Sequence, residues 1–424
     1  MVRATVADML IEPLARRVDA DVVIPGSKSI TNRALVAAAL ADGVSELRGV
    51  LDADDTRAML GVVQTLGAGV EPLVEADAYA ITGVAGQLAP GPKEIDVRMS
   101  GTTARFATPL AARGTGVYII DGAPEMRARP MSETVEALRS LGVTIAPNTL
   151  PITLRAGFDG GALTLGASVS SQFASGMLLA APGTSQGLDL ELEGDVVSRP
   201  YLDMTCAVMR SFGALVDQPS PNRFVVAPNA GYRAANYMIE PDASAASYFF
   251  AAAAASGGRV KIAGLGSNAL QGDVGFVEVL AAMGADVTIA DNFIEVQGTG
   301  TLRGIDVDMS QVSDTAQTLA AIAPFAEGPV RVRGIGFIRK KETDRVRAVV
   351  TELQRMGIEA VEQDDGFLIQ PGTPQPATIE TYQDHRMAMS FAITGLMAPG
   401  IEIVDPGCVD KTFPHYWDVL ATLR

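Results

Sequence analysis

Lys28, Ser29 and Arg33 open a continuous apolar run that stops at Asp42-Gly43. Cations and hydroxyls at the start of an apolar helix suit an anion, because free backbone N–H groups and the positive dipole end already favour negative charge there. Either Ser27 or Ser29 can cap the helix; a polar cap with a snorkelling lysine is the plainer alternative. Gly101-Thr102-Thr103 with Arg105 forms a second group of this kind, with a glycine that admits close approach to the backbone. Arg127 and Arg129 precede Pro130, as ligands for an anion or as solvated side chains. Ser170-Ser171-Gln172 opens a third apolar run, and Ser198-Arg199-Pro200-Tyr201 opens a following amphipathic one. Their hydroxyls and amide can orient a polyol, or serve only as caps.

Downstream, the residues opening the apolar runs change sign. Asp242, Asp314 and Asp384 stand at three starts. Asp242 and Asp384 read as caps, whereas Asp314 is expected to face a ligand. The stretch RKKETDR places Arg339, Lys340, Lys341, Glu342, Asp344 and Arg345 within residues 339–345, as a solvated face or as a charged site. His385 and Arg386 follow Asp384, and Lys411 is a late cation. His415 reads as a surface or packing residue and Trp417 as core.

The elements that must hold these residues recur along the chain. Six apolar runs end at Gly43, Gly114, Gly183, Gly257, Gly328 and Gly400. Five amphipathic runs end at Gly67, Gly142, Gly213, Gly284 and Gly357, and FPHYWDVLATLR is a sixth. Both series repeat every ~70 residues. Each unit reads as strand, buried helix, strand, amphipathic helix, then strands with polar turns. The segment before residue 25, with MLIEPLA and DADVVIP, is expected to complete the sixth unit. Three units would make domain one, residues 22–238. The other three would make domain two, residues 1–21 with 239–424. Two crossovers would permit hinge closure over a cleft at which the helix N-termini converge.

Composition narrows the function classes. Of 424 residues, 48% are hydrophobic and 19% charged, enough apolar material for a large core. The net charge of −16 disfavours nucleic acid as a partner, while locally clustered cations still suit small anions. No apolar run is long enough to span a membrane, and the first 20 residues carry Asp8, Glu12 and Asp19 rather than a signal-like apolar centre. Cys206 and Cys408 lack neighbours at metal-ligand spacing. The expectation is a cytoplasmic, metal-free chain with no cofactor, no nucleic-acid or membrane partner, and a monomeric state.

The stretches PGSKSITNRAL, SGTTARF, RARP, SVSSQF, GDVVSRPY, DASAASYF, KETDR, YQDHRMAM and DPGCVDKTFP, in this order, resemble the 5-enolpyruvylshikimate-3-phosphate synthase family from Pro25 to Phe413. The resemblance implies an α/β fold, a two-domain inside-out α/β barrel with three repeats per domain. It also implies an enolpyruvyl transferase acting in aromatic amino acid biosynthesis and targeted by glyphosate. Phosphoenolpyruvate and shikimate 3-phosphate would give the enolpyruvyl ether and phosphate by addition, then elimination. By this resemblance, Lys28, Ser29, Arg33, Ser170, Ser171, Gln172, Ser198, Tyr201, Asp314 and Lys341 bind shikimate 3-phosphate. Lys28, Gly101, Arg129, Gln172, Arg345, His385, Arg386 and Lys411 bind phosphoenolpyruvate. Asp314 accepts the 5-hydroxyl proton, Glu342 protonates the methylene carbon, and Lys28 belongs to the catalytic set.

That chemistry suits the residue types. Two phosphates and two carboxylates need several cations to offset their repulsion, and arginine forks match their oxygens in pairs. Three departures stand out: Met99-Ser100 in place of Asn-Ala, Phe106 in place of a proline, and Phe337 in place of an asparagine that contacts the shikimate phosphate. UDP-N-acetylglucosamine enolpyruvyl transferase is the rival reading, but that family has Lys-Asn where Lys28-Ser29 stands and a loop cysteine absent here. A non-catalytic scaffold of the same fold would be expected to lose Asp314 or Glu342.

Overall fold

Five of six buried helices begin with a side chain that accepts a hydrogen bond from the first turn. Ser27, Ser100 and Ser170 accept from the backbone N–H groups of Ile30, Thr103 and Gln172. Asp242 and Asp384 accept from Ala245 and Arg386. These acceptors satisfy donors that would otherwise be orphaned in the interior. The exception is Ala316–Ile322, entered through a 3-10 turn, Ser313–Thr315, with no capping side chain. The Asp314 carboxylate is therefore available to other partners.

In the computed structural model, the described residues are 7–166, 170–194 and 196–424. Ser168, Val169 and Asp195 of the motif stretches, and residues 1–6 of the expected second domain, lie outside them. The chain divides into two units, Gly26–Glu240, and Pro241–Arg424 together with the N-terminal segment up to Pro25.

Within Gly26–Glu240 the buried helices are Lys28–Leu40, Gly101–Ala112 and Ser171–Ala180. Their small side chains let the axes approach closely. A Cβ on Gly176 would lie 2.4 Å from the Arg105 carbonyl oxygen, so any side chain there would force the second and third helices apart. Three four-stranded sheets accompany them, each with one parallel pair followed by two antiparallel ones. In one, Gly161–Gly166 runs parallel to Leu188–Glu193 with Leu163 opposite Leu190, and alternate leucines enter the core. Asn236–Met238 pairs in parallel with Val44–Arg48, so the end of this unit lies beside its beginning.

In the other unit the buried helices are Ala243–Ser256, Ala316–Ile322 and His385–Met397. The N-terminal segment supplies two strands. Asp19–Asp21 pairs in parallel with Arg259–Ala263, and Met9–Leu10 pairs antiparallel with Ile401–Ile403. Two sheets have four strands and the last has three. The fold is mixed α/β. The expected inside-out barrel is not seen as a closed sheet: the described strands form six separate sheets, and no pairing joins them into a barrel.

Candidate functional site

In Gly26–Glu240, the polar residues gather at the N-terminal ends of the buried helices. Lys28 Nζ lies 3.3 Å from Asp55 Oδ2, and the Asp55 carbonyl accepts from Thr103 Oγ1 at 3.2 Å. Thr102 Oγ1 accepts from Gln172 Nε2 at 3.2 Å, and Gln172 Oε1 accepts from Arg105 Nη1 at 2.5 Å. Lys28, Gly101, Thr102 and Gln172 are thereby placed on one face, at the positive ends of three helices. Arg129 joins them from outside the helices. A Cβ on Gly101 would sit 2.7 Å from Arg129 Cζ, so glycine is what lets the guanidinium lie against the helix start.

Arg127 and Arg129 part company. Arg127 is exposed and forks onto Asp121 at 2.9 and 2.6 Å, while Arg129 is half-buried against Gly101. Arg33 is buried behind the helix starts. It donates to Thr205 Oγ1 at 2.8 Å, the Ser29 carbonyl at 2.8 Å, Ser175 Oγ at 3.3 Å and the Tyr201 carbonyl at 3.2 Å. Its Cζ is 5.2 Å from the Phe106 ring centre, so the proline-to-phenylalanine departure supplies a cation–π partner. Burial pushes the Arg33 pKa down to about 10, still cationic at neutral pH. Arg33 pins Ser29 and Tyr201 from behind. Ser170 and Ser198 complete the polar set, Ser198 buried with φ +54°, a left-handed backbone that turns the chain into Pro200–Ser211.

The other unit holds a dense charge cluster. Asp314 binds Lys341 Nζ, Arg345 Nη1 at 3.2 Å and Arg386 Nη2 at 2.8 Å. Glu342 accepts from Arg345 Nη2 at 2.9 Å and Lys411 Nζ at 3.2 Å. Arg345 also forks onto Asp384, through Nε at 2.7 Å and Nη2 at 3.2 Å. Burial alone would lower the Arg345 pKa, but Asp384, Glu342 and Asp314 raise it above the ordinary arginine value. Burial alone would raise the Asp314 pKa, but Arg386, Lys341 and Arg345 hold it well below the usual carboxylate range. Lys341 is lowered, by burial first, with Arg345 and Arg386 adding to the effect and Asp314 opposing it. Asp314 is thus an ionised carboxylate held by three cations, Lys341, Arg345 and Arg386, and Glu342 is a half-buried carboxyl between Arg345 and Lys411.

The run RKKETDR splits into two faces. Arg339 pairs with Asp344 at 3.1 Å and Glu362 at 2.6 Å, and Asp344 caps Arg345–Arg355. Lys341, Glu342 and Arg345 turn to the cluster. Asp384 proves to be both a cap and the main counter-ion of Arg345, a second role its position did not reveal. His385 is buried, with Nδ1 3.5 Å from Asp384 Oδ1. Asp55, Tyr248 and Asp273 were not singled out in the sequence. Asp55 stands in the first turn of Asp54–Thr65, where an acid is ordinary at a helix start. Tyr248 accepts from Arg386 Nη1 at 3.4 Å, and Asp273 accepts from the Ser244 hydroxyl. Tyr248 lies inside an apolar run, and Asp273 in the turn Gly272–Gly275 just before one, neither with a spacing signal. His415 is exposed, and Trp417 is half-buried with Nε1 donating to the Pro406 carbonyl at 3.0 Å.

Comparison with known proteins agrees in extent. A family model described as EPSP synthase (3-phosphoshikimate 1-carboxyvinyltransferase) matches residues 14–420. A 3-phosphoshikimate 1-carboxyvinyltransferase of Nostoc punctiforme is 46% identical over 412 residues, covering 96% of this chain and 97% of the relative. One from Citrobacter koseri is 42% identical over 422 residues, covering 98% of each. A solved EPSP synthase from Acinetobacter baumannii superposes with a TM-score of 0.83 at 26% identity, covering 98% of this chain and 97% of that one. Among the described residues, no helix is long and apolar enough to cross a membrane. With matches running almost from end to end and identities above 40%, the chain belongs to the EPSP synthase (3-phosphoshikimate 1-carboxyvinyltransferase) family.

Proposed function

We propose that the chain transfers the enolpyruvyl group of phosphoenolpyruvate to the 5-hydroxyl of shikimate 3-phosphate, releasing phosphate. The observation that carries this reading is the cluster of two carboxylates, Asp314 and Glu342, enclosed by Lys341, Arg345, Arg386 and Lys411. Asp314, ionised at neutral pH, takes the proton of the 5-hydroxyl as its oxygen attacks C2 of phosphoenolpyruvate. Glu342 gives a proton to the methylene carbon, forming a tetrahedral adduct. Removal of a methyl proton and expulsion of phosphate then restore the double bond. Cations take up the charge that develops on the phosphate and carboxylate oxygens.

In the same reading, Lys28, Ser29, Ser170, Ser171, Gln172, Ser198, Tyr201 and Lys341 hold shikimate 3-phosphate, with Arg33 acting through the Ser29 and Tyr201 it pins. Lys28, Gly101, Arg129, Gln172, Arg345, His385, Arg386 and Lys411 hold phosphoenolpyruvate. Domain one would comprise residues 22–238, and domain two residues 1–21 with 239–424. Six repeats, three per domain, would form an inside-out α/β barrel; the recurring parallel-then-antiparallel sheets support this. A monomeric, cytoplasmic enzyme without cofactor or nucleic-acid partner, open to inhibition by glyphosate, completes the proposal.

The test is phosphate release from phosphoenolpyruvate with shikimate 3-phosphate, and separately with UDP-N-acetylglucosamine. Release is expected only with the first. Glu342→Gln and Asp314→Ala should still bind both substrates while turnover falls by about 10²-fold or more. Unchanged turnover in either variant removes that residue from the mechanism.

A further inference from the structure

The buried helices of Gly26–Glu240 have a second pole. Their C-terminal ends, at Leu40, Arg113 and Pro182, line a cavity of about 650 Å³, remote in the fold from the helix starts that carry Lys28 and Gln172. Arg113 dominates it. The Arg113 Nη2 lies between the chains at Gly86 and Gly183, 3.4 Å from where a Cβ on either would stand. Its Nη1 is buried with no hydrogen-bond partner. A buried guanidinium donor left unmatched costs free energy unless something else accepts from it.

The negative dipole end of Gly101–Ala112 favours a cation at its C-cap, Arg113, but supplies no hydrogen-bond acceptor to Nη1. Several carbonyls at this pole are engaged elsewhere: Leu40 accepts from Gly86 N, Ala41 from Ala85 N, Ala112 from Gly157 N and Phe158 N, and Leu179 from the Tyr232 hydroxyl. Asp159 reaches Arg113 only through space, since its carboxylate is taken by the Ser185 N–H and hydroxyl. Arg233 supplies a second cation on the wall, stretched along Gly213. Gln87 and Asn229 add neutral amides, and Asp42 is the one acid in the lining.

We propose that this cavity is a second anion site, which takes a small molecule presenting a carboxylate or phosphate group to Arg113 and Arg233. The volume suits a metabolite-sized ligand rather than a single ion. The lining lacks a stacking pair of aromatic rings, so charge and hydrogen bonds carry recognition. A bidentate oxyanion matches the planar Arg113 fork and supplies the acceptor its Nη1 lacks.

Isothermal titration of the full chain with inorganic phosphate and with citrate tests this, in wild type, Arg113→Gln and Arg233→Gln. Binding of at least one probe should weaken about tenfold or more in each variant. Turnover in the phosphate-release assay should stay at the wild-type level. A response confined to phosphate assigns a phosphoryl ligand, and one confined to citrate a carboxylate ligand; either supports the site. Identical isotherms in all three proteins, for both probes, overturn it. Arg233 is exposed, so Arg233→Gln folds even where Arg113→Gln does not, and its result then decides.

Discussion

Gly101 and Arg129 are in contact so close that a single added carbon at Gly101 would stand 2.7 Å from Arg129 Cζ and Nη1. Real Cβ atoms do not sit at that distance, so Gly101→Ala must displace the guanidinium. The obstruction is the end of a flexible side chain, so the fold itself should lose little. The expected outcome is a KM for phosphoenolpyruvate raised by about tenfold or more, with a thermal midpoint near wild type. Steady-state kinetics and a melting curve on the same sample check both halves. An unchanged KM would mean that Arg129 does not hold this substrate.

Arg345 is the hub of the charge cluster, contacting Asp314, Glu342 and Asp384 while its side chain is only 2% exposed. Removing it leaves Asp384 buried without its main counter-ion and takes one cation from each of Asp314 and Glu342. Arg345→Ala should therefore destabilise the chain by about 3–5 kcal/mol in denaturant unfolding. Arg345→Lys keeps the charge but not the fork onto Asp384, so it should recover only part of that loss. Full recovery by lysine would show that charge, not the paired geometry, is what counts.

Residue type and spacing made much of this legible, for physical reasons. Burial of a whole helix needs an apolar run without a polar face, and such runs are visible in one dimension. Charged or amide side chains at their starts marked Lys28, Gln172, Asp314 and Arg386. What could not be read was which charges meet. Arg127 and Arg129 are two residues apart, yet one forks onto Asp121 and the other lies on Gly101. Asp384 read as a cap, and only tertiary contact shows it also holding Arg345. Arg33 read as a ligand-facing cation because it follows Lys28 by about a turn. In the structure that turn points inward, and four protein oxygens take its donors.

Lys341 and Asp314 are linked directly, and the link sets the pH response expected of Asp314. Asp314 titrates below its unfolded value of about 4, so the stability it contributes is present above that pH and lost as pH falls through its native pKa. Lys341→Met removes one of three cations that hold the pKa down. The acid limb of kcat/KM should then move to higher pH, and acid unfolding should begin at higher pH. A pH–rate profile beside a pH-unfolding series gives both readings. An acid limb that stays in place would exclude Asp314 as the group that must be ionised.

Asp273 titrates in the opposite sense. Burial, and then the negative charge of Asp314, raise its pKa to about 6, opposed by Arg386 and the Ser244 hydroxyl, with Asp242 adding a further small rise. The folded protein thus holds a proton that the unfolded chain has released between about pH 4 and 6. Over that window the contribution of this group to stability falls as pH rises. Asp273→Asn keeps an acceptor for Ser244 and cannot ionise. It should match wild type near pH 4 and exceed it by about 3 kcal/mol above pH 7. Denaturant unfolding at a series of pH values measures the difference directly. A difference that does not change with pH would mean that Asp273 stays ionised throughout, with enough cationic company to offset its burial.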